Sequence, residues 1–261
     1  FGITPVLRTE VYGFQFTPVL RYEYNSVYQH TGDASLSVAR QVSENFSAAL
    51  SAGYQHQFAP IMASQGYYAG TSVVLPNPEI TVERDRIAAL SLNYASEIFS
   101  LHSQIFYNLI SNRAVYVSKS FTQAKYENVP SASIVGETLD VQLSPVDDLN
   151  FRLGGTVLRA WDRTTGREFA YKPRLQGYSS VNWSFYKDAT ITLEEEFLGK
   201  RLINLSDEQS LSPYAQTNLR VEAKLAGGVV IFKIDNLLNE GAFVNSGFPI
   251  PGRLFFVGYR L

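Results

Sequence analysis

The chain contains no cysteine. That excludes a disulfide framework, a thiolate metal site and a cysteine nucleophile, and leaves the redox compartment open. It has one methionine, Met62, and begins with Phe1, so the sequence is expected to be a processed chain or an excised piece. No basic segment followed by an apolar one opens it, so no signal peptide is read there. There is no excess of charge: the formal net charge is -2 and the pI is about 6.0. Lys and Arg are dispersed among acids and form no stripe for nucleic acid. No run approaches the roughly 18 apolar residues of a membrane-spanning helix; stretches such as GGVVIFKI are strand-sized. Helical periodicity is almost absent.

Period-two alternation takes its place, which is the strand signature. In ETLDVQLS, Leu139, Val141 and Leu143 share one face and Thr138, Asp140 and Gln142 the other. In TNLRVEAKL, Leu219, Val221, Ala223 and Leu225 oppose Arg220, Glu222 and Lys224. SVNWSF and FSAALSAGY alternate in the same way. The 16 Tyr and 17 Phe suit strands as well. Strands are predicted over residues 4–14, 16–26, 34–42, 45–58, 83–95, 97–110, 133–144, 148–161, 174–187, 189–200, 215–225, 228–236 and 252–261. That is about 13 strands, many with the roughly 9–11 residues of a tilted membrane strand. Tight turns near residues 43–45, 95–97, 145–148, 186–189 and 226–228 alternate with longer connections over 59–82, 111–132, 162–173, 201–214 and 237–251. Short turns on one side and long loops on the other describe an up-and-down transmembrane β-barrel.

The polar face supports that reading. It carries Arg8, Glu10, Arg21, Glu23, Asp140, Arg152, Arg220, Glu222 and Lys224, which a packed soluble interior could not hold unpaired. A wet lumen could. Tyr54, Tyr94, Tyr107, Trp161, Trp183, Phe185 and Tyr259 lie near strand ends, where interfacial aromatics belong. Glu195 and Arg159 fall on the apolar face and are expected at its upper rim. In a closed barrel the last strand would pair with the first and leave no edge.

Several segments resemble, in order, landmarks of the TonB-dependent outer-membrane receptors. QHQFAP and NPEITVER are similar to motifs around one outward loop, with Phe58-Ala59-Pro60 lacking that family's Arg. YENVPSASIVGETLDVQLSP places Asn128, Gly136 and Glu137 at a recurrent strand start, and YKPRLQGYSSVNW resembles the strand that follows. IDNLLNE and PGRLFFVGYRL resemble the final loop and strand, although Leu261 stands where Phe is usual. The resemblance spans residues 34–261. It implies the C-terminal part of a ~22-stranded plugged barrel, with the plug and the TonB box outside this chain. It further implies an outer-membrane location in a Gram-negative bacterium, lipid and lipopolysaccharide around the wall, contact with TonB through the plug, and uptake of a scarce ligand such as a ferric siderophore. The alternatives are a complete barrel of about 12 strands, acting as a passive channel or outer-membrane enzyme, and a soluble all-β binding module.

No enzyme and no cofactor is expected. His30, His56 and His102 lack metal-ligand spacing, and no phosphate-binding or dinucleotide fingerprint occurs. Glu194, Glu195 and Glu196 are read as hydrated wall charges or, alternatively, as a cation site. The ligand-binding candidates are loop aromatics and a loop cation: Tyr67, Tyr68, Arg113, Tyr116, Phe121, Tyr126, Phe243 and Phe248. Such aromatics could equally fold the loops onto one another.

Overall fold

The computed structural model describes residues 2–27, 29–70, 72–120, 122–203, 209–225 and 227–261. Twelve long strands follow one another in chain order: β1 (Phe14–Asn25), β2 (Gln29–Ser43), β3 (Phe46–Gln57), β4 (Glu83–Ala95), β5 (Phe99–Ser118), β6 (Gln123–Val146), β7 (Leu149–Asp162), β8 (Leu175–Tyr186), β9 (Ala189–Leu198), β10 (Tyr214–Leu225), β11 (Gly228–Asp235) and β12 (Leu254–Arg260). Each pairs antiparallel with the next, giving one up-and-down sheet. Along the free side of β1 runs a broken strand, Gly2–Ile3 and Thr9–Val11, which brings the sheet path to the 13 strands expected.

Two boundaries depart from the sequence reading. The first strand, expected over 4–14, is interrupted where Pro5 has no N–H to give; only Val6 bridges to Val19, and the chain reverses at Tyr12 and Gly13, both at positive φ. The connection expected over 111–132 is no loop. β5 and β6 extend through it as a two-stranded ribbon, paired from Ser118↔Ala124 downward. Its Val115, Tyr116 and Val117 are strand formers, and they carry the pairing beyond the length of a membrane-sized strand.

The two faces of the sheet are continuous across every pairing. On one, Leu50 faces Val38 and Leu90; Leu90 faces Ile105; Val141 faces Leu101 and Leu153; Leu193 faces Val181 and Leu219; Phe232 faces Val221 and Val257. On the other, Ser51 faces Ser37 and Ala89, Asp140 faces His102, Arg152 faces Ser180, Glu194 faces Asn218 and Arg220 faces Lys233. Glu195 does lie on the apolar face, between Ser179 and Thr217, and so does Arg159, opposite Val135; the expected register holds for both.

The apolar face is bare. Leu50 is 61% exposed, Leu153 56% and Val257 78%. No second layer covers it among the described residues, and the buried apolar clusters sit at the end away from the tight turns: Ile110, Ala132, Ala160 and Phe169 in one, Ala59, Ala63 and Ile80 in the other. A soluble sandwich would bury that face against another sheet about 10 Å away. The soluble module is therefore excluded as an account of this fold. Nor do the ends of the sheet meet: β12 pairs with β11 alone, and the first strands with β1. The expected last-to-first pairing is absent among the described residues.

Small residues let the polar face pack. A Cβ on Gly154 would meet the Tyr178 ring at 2.5 Å and Asp140 Oδ1 at 2.6 Å. The ring fills that gap and its hydroxyl donates to Asp140 Oδ1 at 2.7 Å. On the apolar face Tyr259 covers Gly228 in the same way.

The two faces make opposite predictions at adjacent residues. In the intact protein folded into lipid vesicles, Leu50→Arg should cost about 2–4 kcal/mol, as a cation near the bilayer midplane does. Ser51→Arg, one residue on, should cost roughly 0–1 kcal/mol. Urea unfolding followed by tryptophan fluorescence measures both; equal costs would contradict the assignment of the faces.

Candidate functional site

Above the turn-free end of β4, residues 112–118 and 123–130 pair, among the described residues, with each other and with the segment that precedes β4. Asn112 has φ 58°, a value asparagine tolerates, and sits across from Pro130. There the ribbon exchanges its faces. Val115 and Val129 pack with the Ile110 cluster, while Ala114 and Tyr126 pack with Ala59, Ala63 and Ile80.

The long connection between β3 and β4 folds against that second side. It contains a short helix, Ile61–Gln65, and a hairpin of Tyr67–Ala69 with Ser72–Leu75. Ser72–Leu75 joins β6 as a parallel strand, Val73 opposite Gln123 and Leu75 opposite Lys125. Two asparagines fasten the return to β4. Asn77 Nδ2 donates to the Tyr126 carbonyl at 2.7 Å. Asn128 Oδ1 accepts from the Thr81 amide at 2.9 Å and the Thr81 hydroxyl at 3.2 Å, and its Nδ2 donates to the Asn112 carbonyl at 2.6 Å.

This folding gathers part of the predicted set. Tyr116 and Tyr126 meet edge to face, ring centres 5.5 Å apart. Tyr67 shares a side-chain hydrogen bond with Tyr126; burial first, then that bond and the neighbouring Tyr67 and Tyr116 phenols, push the Tyr126 hydroxyl above its usual range. Tyr68 points away and is 83% exposed. Tyr116 and Tyr126 are strand residues, a correction to their expected place in a loop, as is Arg113. Arg113 lies on the opposite side of the ribbon, its guanidinium 4.6 Å over the Phe169 ring. Phe121 lies outside the described residues. Phe243 and Phe248 sit far along the sheet in a small exposed hairpin, Phe243–Asn245 with Phe248–Pro249, apart from the tyrosines.

The acids do not form one cluster. Glu194 and Glu196 face the polar side, opposite Ser180 and Tyr178, while Glu195 faces the other way. The histidines are each engaged separately: His56 Nδ1 with Asp33 at 2.9 Å, His102 Nδ1 with Asn93 at 2.6 Å and His30 with Tyr22.

Three residues that the sequence reading did not single out organise the rest of this end. Arg201, almost fully buried, donates to the carbonyls of Phe243 and Val244 at 3.0 Å each and to that of Ser212 at 3.3 Å. Asn236 donates through Nδ2 to the carbonyls of Glu240 at 2.9 Å and Pro251 at 3.0 Å and accepts from the Glu240 amide at 2.8 Å. Glu168, in the connection between β7 and β8, binds Arg159 Nε at 3.1 Å and Arg174 Nε at 2.9 Å. The Arg174 hydrogen bond and charge, with those of Arg159, hold the Glu168 carboxyl below its ordinary value against the opposing effect of burial. Asn236 could have been found, since it lies inside IDNLLNE. An isolated Arg201 or Glu168 carries no local pattern.

No protein-family model and no curated protein matches the chain. Solved structures do. The ferric enterobactin receptor (PfeA) of Pseudomonas aeruginosa is similar with a TM-score of 0.81 at 18% identity, over 99% of this chain and 44% of that one. The siderophore receptor PirA of Acinetobacter baumannii gives 0.79 at 14% identity, over 99% and 44%. The FrpB iron transporter of Neisseria meningitidis gives 0.74 at 14% identity, again over 99% and 44%. The chain thus has the fold of the barrel wall of TonB-dependent receptors, and spans less than half the length of these proteins.

Two outcomes follow from the loop-end contacts. Asn128→Ala removes bonds to both Thr81 and Asn112, so it should cost about 1–3 kcal/mol locally and appear as faster amide exchange at Thr81. Because the Glu168 pKa is lowered on folding, its contribution is present above the unfolded glutamate value and is lost as pH falls through the lower folded value. With Trp183→Phe leaving Trp161 as the reporter, acid titration should change the fluorescence only below about pH 4.3, the ordinary glutamate value. Glu168→Gln should abolish that step.

Proposed function

We propose that the chain forms part of the barrel wall and outward loops of an outer-membrane receptor, which captures a scarce small ligand, a ferric siderophore, and admits it with energy delivered through TonB. The observation that carries the reading is the pair of continuous faces. One is largely apolar and, among the described residues, uncovered by any second layer; the other is studded with Arg21, Asp140, Arg152, Glu194 and Arg220. Lipid outside and water inside account for both at once, whereas an exposed apolar surface of this extent has no stable place in water. The likeness to siderophore and metal receptors supports the uptake class. On this reading the plug and the segment that meets TonB belong to sequence outside these 261 residues, and so do the strands that pair with the outer edges of β12 and of the broken strand beside β1. Those edges, unpaired among the described residues, give no support to a small self-contained barrel, passive or enzymatic.

Short turns face the periplasm in such barrels and long connections the outside. That orientation places the tyrosine-bearing ribbon outside the cell. Tyr67, Tyr116 and Tyr126 are its candidate patch for the ligand, with exposed Tyr68 a candidate beside it and Phe243 and Phe248 a separate one. Arg113 belongs to the same ribbon but not to the tyrosine side, and Phe121 stays a candidate outside the described residues.

The test is uptake of radioiron by cells that make the intact protein, offered a panel of ferric catecholate and hydroxamate siderophores. One siderophore should accumulate saturably, and only when TonB is present. Tyr68→Ala, which disturbs no packing, should weaken its binding roughly 5- to 10-fold. Accumulation that persists without TonB, or is identical without the protein, would contradict the proposal.

A further inference from the structure

Four cations gather on the apolar side of the sheet, at its loop-end margin. Arg159 of β7, Lys172 and Arg174 of the following connection and Lys200 after β9 line a cleft of about 660 Å³. Its floor is apolar: Leu175 pairs with Val157, and Phe197 with Gly177, all members of the face read as lipid-exposed. Glu168 is the only acid lining it among the described residues, and it is already shared by Arg159 and Arg174. No ion pair holds Lys172 or Lys200 among the described residues, and both are exposed.

Height places the cleft. Arg159 stands ten residues above Leu149, where β7 leaves its tight turn. At about 3.3 Å per residue and a tilt of about 40°, that is about 25 Å, the height of the apolar band of such a barrel. Trp161, two residues further and stacked under the Arg159 guanidinium at 5.1 Å, suits an interface. The cations therefore meet the bilayer where head groups lie, and the apolar floor continues downward to where acyl chains lie.

We propose that this cleft seats the phosphorylated head group of an outer-leaflet glycolipid, with an acyl chain against Leu175 and Phe197. The proposal rests on the membrane-wall reading above. Glu168 holds the two guanidiniums side by side, while Lys172 and Lys200 supply charge that no acid among the described residues pairs with. Guanidinium forks match phosphate oxygens in pairs, and flexible lysines add further contacts. A fully aqueous ligand would gain nothing from the apolar floor.

The experiment uses the intact protein, extracted from its own membranes in a mild detergent. Native mass spectrometry measures binding of phosphorylated lipid A, of lipid A stripped of phosphate, and of inorganic phosphate. The phosphorylated lipid should bind best. The double variant Lys172→Gln with Lys200→Gln should bind it roughly 10- to 30-fold more weakly. Lys187→Gln, at the opposite end of the sheet, should leave it unchanged. Equal binding of both lipids, indifference to the double variant, or displacement of the lipid by inorganic phosphate at matching concentration would each overturn the proposal. Flotation of the same protein with phosphatidylcholine vesicles separates the two levels. A protein that floats but ignores lipid phosphate refutes the cleft alone, and one that does not float refutes the wall.

Discussion

Everything in this molecule depends on the pleat of the strand, which sends successive side chains to opposite faces. Because the sheet is a single layer, each face must suit its own surroundings with no core between them. A shift of one residue in any pairing would exchange the faces of a whole strand. Leu50, Leu90, Ile105, Val141, Leu153, Leu193, Val221 and Phe232 nevertheless fall on one side through successive pairings. That agreement is what fixes the register, and it replaces the buried core that would fix it in a soluble protein.

Where the ribbon leaves the bilayer zone, a different device takes over. Side-chain amides there stand in for missing strand partners. Asn77 and Asn128 pin the connection before β4, and Asn236 closes the turn after β11 while its own amide donates to Asn218 Oδ1 at 3.0 Å. Asn239 Oδ1 then accepts from the Arg253 amide at 3.0 Å. These are residues of NPEITVER, YENVP, IDNLLNE and PGR. Asparagines in these segments, which carried the family resemblance, are thus latches of the loop end.

The sequence made the wall legible because alternation is a local property. β4 falls on 83–95 as expected, and β7, β8, β10 and β11 within a residue or two. It hid what depends on partners distant in the chain. The length of β5 and β6 beyond Ile110 comes from their pairing with each other and with Ser72–Leu75, which no local period reveals. Tyr67, Tyr116 and Tyr126 were legible as candidates but not as a cluster, and Arg113 was placed with them although Asn112 turns it to the other side. Arg201 and Glu168 stayed hidden because each is recognised by its partners: Arg201 by the carbonyls of Phe243 and Val244 far along the chain, and Glu168 by guanidiniums on β7 and at the far end of its own connection.

The most direct test of the account is a spin-label scan of residues 47–52 of β3 in the intact protein, reconstituted in lipid vesicles. Accessibility to oxygen, which concentrates in lipid, is compared with accessibility to a water-soluble nickel chelate. Labels at Ala48, Leu50 and Ala52 should favour oxygen, and labels at Ser47, Ala49 and Ser51 should not, in strict alternation. A scan in which all six positions see only the aqueous reagent, or in which no alternation occurs, would contradict a sheet that stands between lipid and water.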